Sequence, residues 1–95
     1  MKNLAQIKLT VSVLKQGSRF VMYSPALDLS TSGRSGKEVK KRFEEAAMLF
    51  IEELARAGTM SDVLKELGWH HVRKQWEPPK VISQESIGFR MPVTA

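Results

Sequence analysis

No cysteine occurs among the 95 residues, which excludes disulfide staples and thiolate-held metal sites. No apolar run approaches the ~20 residues that a membrane-spanning helix needs. The opening residues MKNLAQIKLTVSVLK alternate apolar and polar positions, and so lack the continuous apolar stretch of a secretory signal. The expectation is a cytoplasmic protein without a membrane partner. Carboxylates are scarce in the first part of the chain, where Asp28 is the only acid before Glu38. That leaves no arrangement of paired carboxylates for glycosidase or two-metal nuclease chemistry. No serine stands in a G-x-S-x-G elbow. Gly33 and Gly36, although Lys37 follows, lack the spacing of a phosphate-binding GxxxxGK[ST] loop. No internal repeat or low-complexity segment is present.

Histidine supplies little more. His70 and His71 are adjacent, and neighbours on an extended chain point to opposite faces, so they do not share a metal ion. As a general acid or base either would need a partner that the sequence does not identify. These absences together point away from an enzyme and away from any cofactor or metal.

What the chain does contain is one domain of ordinary soluble composition, 42% hydrophobic and 26% charged. A chain of this length buries only about 60–70% of its unfolded surface, so its core is thin. The formal charge of +5 is unevenly placed. Residues 1–43 carry nine Lys or Arg against two acids, whereas residues 44–68 carry six acids against two bases. A basic amino-terminal half suits a polyanion or an acidic protein surface, and it equally suits a merely solvated face.

The stretch Phe20–Leu54 organises the chain. Ile7, Leu9, Val11 and Val13 alternate with polar residues and predict a first strand. Gln16-Gly17-Ser18 is a hairpin turn. Phe20–Tyr23, apolar on both faces, predicts a central strand that Ser24-Pro25 ends. Leu27–Thr31 predicts a third strand. Thr31–Gly36 then turns the chain into a helix from Gly36 to Ala57, with Ser35 and Glu38 in an S-x-x-E capping box and Gly58 just beyond the end. The helix's apolar face is Val39, Phe43, Ala46, Ala47, Phe50 and Leu54, widened by Met48, Leu49 and Ile51. A second capping box, Thr59 with Asp62, predicts a short helix Asp62–Leu67 ending at Gly68, with Val63, Leu64 and Leu67 facing inward. Trp69–Pro79 reads as an extended connection, with or without a short strand, and Ile87, Phe89, Met91 and Val93 alternate as a last strand with Pro92 near its end. The expected fold is α+β: a three-stranded antiparallel meander with one long helix on one face, a short second helix and a C-terminal strand, β-β-β-α-α-β. The core is expected over residues 3–58 of a single domain 1–95, with a helical and extended part over 59–95.

Arg34, Lys37, Lys40, Lys41 and Arg42 cluster where the long helix begins, and a helix N-terminus attracts anions. Glu45 and Glu52 lie further along the same helix and offer a local negative face. Trp69 and Trp76 read first as packing residues and second as contacts for a partner protein. A small sheet with an exposed edge and a wide helix stripe favours a homodimer or higher homo-oligomer.

The run Tyr23–Gly33, followed by a capped turn and a helix bearing Glu44-Glu45-Ala46, resembles the HicB-like antitoxin family, in which a strand, a Pro-x-Leu corner, a short strand, a Gly and a helix with a Glu-Ala pair follow in this order. The match covers roughly Ile7–Leu54, and Leu67-Gly68-Trp69 and Trp76-Glu77-Pro78-Pro79 resemble its short members. The resemblance implies a partial RNase-H-like fold without catalysis, and a partner of the HicA type, a small toxin that cleaves messenger RNA. Neutralisation in that family works by covering the toxin's active surface. Longer members append a DNA-binding module, which the segment after Gly58 does not resemble. The chain departs from the pattern in charge, because a basic toxin is met best by an acidic antitoxin. The alternative is a nucleic-acid-binding or regulatory domain of the same fold, with the basic cluster on phosphates.

Overall fold

The computed structural model describes residues 6–94, so the first residues of the expected core, 3–5, lie outside the described residues. The fold is α+β. Three antiparallel strands, β1 (Ser12–Gln16), β2 (Arg19–Ser24) and β3 (Leu29–Gly33), form a meander with β2 in the centre. Helix α1 (Gly36–Ala57) crosses one face of the sheet, over β3 and β2, and helix α2 (Met60–Glu66) packs beside it. A separate hairpin, β4 (His70–Val72) with β5 (Gln75–Glu77), completes the regular structure.

The register explains which residues are inside. Met22 lies opposite Val13 and Thr31, and Tyr23 lies opposite Ser12 and Ser30. Side chains alternate between faces, so Met22 and Leu29 meet the helix while Leu14, Val21 and Tyr23 occupy the other face. Val39, fully buried, and Phe43 pack on Met22 from α1. A second cluster joins Ala26 and Leu27 to Leu64 of α2 and to Trp69, with Leu9, Leu29 and Ala47 bridging the two.

Helix α1 starts and stops where its chemistry dictates. Ser35 is extended at the N-cap, and its Oγ accepts the Glu38 backbone N–H at 3.1 Å. The reciprocal half of the expected box is shifted by one residue: Glu38 Oε1 accepts the N–H of Arg34, not of Ser35, at 3.0 Å. Gly58 ends the helix in the left-handed region at φ 73°, and its N–H and that of Thr59 satisfy the last carbonyls. Gly33 serves a different need. A Cβ there would lie 2.8 Å from the Val39 backbone nitrogen, so glycine lets the end of β3 touch the first turn of α1.

Several expectations shift. The first strand begins at Ser12 instead of Ile7, because its neighbour β2 ends at Ser24, before Pro25, and leaves residues 7–11 without a ladder partner among the described residues. The third strand begins at Leu29, because Pro25–Asp28 close a turn (Asp28 N–H to Pro25 O, 3.3 Å) with Asp28 at φ 49°. It also runs on to Gly33. Helix α2 begins at Met60, and Thr59 makes no side-chain cap, so the second capping box is absent. The stretch 70–77 is a hairpin and not a plain connection; Arg73 and Lys74 turn it at φ 50° and 67°. The C-terminal strand structure lies in this pair, while residues 87–93 form no strand.

Candidate interaction surface

The expected contact residues divide into three groups. Lys37, Lys40 and Lys41 stand exposed on the first turns of α1. On a helix, residues three and four apart share a side, so Lys37, Lys40 and Lys41 form one outward patch. Arg34 is exposed in the turn just before. Arg42 points elsewhere: its guanidinium donates to Ser32 O at 3.2 Å and lies 3.6 Å from Glu38. It fastens the helix to the end of β3 and so stands apart from the lysines. Glu38 itself is held below the ordinary carboxylate value of 4.5. The Arg34 N–H is the main cause; burial opposes it, and the positive charges of Arg42, Arg34 and Arg19 each add a smaller lowering effect.

Glu45 and Glu52 are exposed further along α1. Between them stands Met48, 64% exposed, with Glu44 and Glu45 one turn before it, Glu52 one turn after and Lys41 two turns before. Leu49 is exposed on the flank. The outer face of α1 therefore carries an apolar centre rimmed by charges, positive towards its N-terminus and negative towards its C-terminus. That gradient runs in the same sense as the helix macrodipole and reinforces it, where stability alone would favour acids first and bases last. The widening of the stripe is half internal: Ile51 packs on the core, while Met48 and Leu49 do not.

The tryptophans leave the surface. Trp69 is 4% exposed, and its Nε1 donates to Ala26 O at 2.7 Å, which removes it from the contact residues. Of the two readings of Trp69, packing holds and surface contact does not; Gly68 turns the chain at φ 93° immediately before it. Trp76 is half-buried, packed on the second cluster and stacked on His71 at 4.7 Å between ring centroids. That stack gives His71 an apolar role. Asp28 is also engaged, accepting the Tyr23 hydroxyl at 3.0 Å, a bond that raises the phenol's pKa. Among the described residues no three His, Asp or Glu side chains gather as a metal site, and no helix is long and apolar enough to cross a membrane.

No family model matches the chain, and no curated protein or solved structure matches it.

Proposed function

We propose that the chain is a non-catalytic antitoxin of the HicB-like kind, which neutralises a small mRNA-cleaving toxin of the HicA type by covering its active surface. The observation that carries this reading is the outer face of α1. Exposed Met48 and Leu49, flanked by Lys41, Glu44, Glu45 and Glu52, have the apolar centre and polar rim of a protein–protein contact. The acidic end of that face suits a basic toxin despite the net charge of +5. The β-β-β-α order of the family it resembles also supports it. Co-expression with the neighbouring reading frames tests the proposal: a small basic protein that arrests growth alone should co-purify and be neutralised. Loss of that complex in Met48→Arg, with unchanged helicity, is the expected result. Absence of any such partner contradicts it.

A second reading rests on the lysines. Lys37, Lys40 and Lys41 make no ion pair among the described residues and sit at the positive end of α1, which favours phosphate binding. Retention of nucleic acid that falls steeply with salt and disappears in Lys37→Glu/Lys41→Glu would support this alternative.

A further inference from the structure

The C-terminal segment has the pattern of a strand and no partner. Ile87, Phe89, Met91 and Val93 alternate with Gly88, Arg90 and Pro92, yet all four apolar side chains are exposed, Phe89 at 78% and Val93 at 95%. Ile82 is exposed at 94%. The segment carries the molecule to an extent of 60 Å and a radius of gyration of 16.4 Å, against about 12 Å for a compact chain of this length. A second segment has the same defect. Residues 7–11 continue β1 past the end of β2, with Leu9 and Val11 turned to the core and no ladder partner among the described residues. Beside them β1 is an edge, and its Val13 is exposed on the helix side because α1 lies over β2 and β3.

We infer that two copies of this chain exchange their C-terminal segments, residues 87–93 of each adding as a strand to the Ile7–Leu14 edge of the other. The lengths match, seven residues against eight, and both segments present apolar side chains at every second position. Either strand direction, with Ile7 opposite Val93 or opposite Ile87, places Arg90 across from Thr10 and away from Lys8. The exit of the segment favours exchange over folding back. Pro78, Pro79, Lys80 and Val81 run beside Lys8 and Thr10, at the edge to be filled, and every residue from Lys80 to Thr94 is exposed. A two-fold pair returns each segment to the other's vacant edge and closes the assembly. Pro92 on the new outermost strand has no N–H to offer a further chain, which stops growth at two.

The area is sufficient. Four apolar side chains at about 100 Å² each, matched by as much surface on the receiving edge, give roughly 1,600 Å² over two exchanged segments, the size of a standard stable interface. The exchange does not depend on the antitoxin reading.

Sedimentation of the full chain should give twice the 10.7 kDa chain mass. The variant Phe89→Asp/Met91→Asp should sediment as a monomer with unchanged helical circular dichroism, since neither residue touches the core and only the added strand is lost. The chain's lack of cysteine allows a direct proof. Oxidised mixtures of the single variant Val13→Cys with Ile87→Cys should give a covalent dimer if the strands are antiparallel, and with Val93→Cys if parallel. A wild-type monomer at high micromolar concentration, a dimer that survives Phe89→Asp/Met91→Asp, or a disulfide formed only within one chain of a doubly substituted protein would each overturn the exchange.

Discussion

Replacing Trp69 by Phe tests how the second cluster is held together. The indole is 4% exposed, and its N–H reaches the Ala26 carbonyl across 43 residues of sequence, tying the segment after α2 to the corner between β2 and β3. Phenylalanine keeps an aromatic ring in place but cannot donate. The Ala26 carbonyl, on a residue itself 4% exposed, is then buried without a partner, at a cost of about 1–3 kcal/mol. The smaller ring leaves a void worth about 1 kcal/mol more at roughly 24 cal/mol per Å³. The expected loss is therefore about 2–4 kcal/mol, a large share of the ~5–15 kcal/mol that holds a domain folded. For a domain of this size that lowers the melting temperature by roughly 8–30 °C. Urea unfolding followed by circular dichroism measures it, with the slope expected to stay constant. Trp76→Phe is the comparison, because Trp76 is half-buried, makes no side-chain hydrogen bond among the described residues, and loses only part of its packing on the second cluster and of its stack on His71. Its cost should be about 1 kcal/mol or less. Equal losses in the two variants, or a Trp69→Phe loss below ~0.5 kcal/mol, would refute the hydrogen bond as the fastening.

Gly33→Ala should destabilise by about 1–3 kcal/mol, since the new Cβ meets the Val39 backbone at 2.8 Å, whereas Gly36→Ala, with open space around it, should be neutral or stabilising in the same thermal melts. Ser35→Ala should cost about 1 kcal/mol by removing the cap that Glu38 N–H uses. Because the Glu38 pKa is lowered in the folded state, its contribution is present above pH 4.5 and is lost as pH falls through the lowered folded value. Stability measured against pH should therefore show a smaller decline below pH 4.5 in Glu38→Gln than in the wild type. Arg73→Asn/Lys74→Gly should stabilise the β4–β5 hairpin by about 1 kcal/mol or more, because both residues occupy the left-handed region at φ 50° and 67°; amide exchange at Val72 and Gln75 would report slower opening.

Where local chemistry decides an element, the sequence was sufficient. Helix α1 runs from Gly36 to Ala57 as its periodicity, the Ser35 cap and Gly58 imply, and the central place of β2 follows from its being apolar on both faces. Where a neighbour decides, it was not. Residues 7–11 alternate as well as residues 12–16 do, but pairing depends on where β2 stops, and that is set by Pro25. The β4–β5 hairpin was hidden because its turn is Arg-Lys, without the Asn or Gly that positive φ normally selects. For the contact residues, spacing sufficed to bring Lys37, Lys40 and Lys41 together on α1. It could not separate Arg42, whose tie to Ser32 O depends on how helix and strand meet. Trp69 read first as a packing residue, but its hydrogen-bond partner, a carbonyl 43 residues away, was not legible. Met48 was legible as part of a stripe too wide for the sheet alone; its place among Glu44, Glu45 and Glu52, on the side of α1 opposite Val39 and Phe43, sets it apart from the core face.

The most direct test of the central claim is an RNA-cleavage assay with whatever small basic protein co-purifies with this chain. The account predicts that stoichiometric addition of the chain abolishes cleavage, that Met48→Arg relieves the inhibition, and that the chain alone leaves the RNA intact. Cleavage that continues at full rate in the presence of excess folded chain would contradict it.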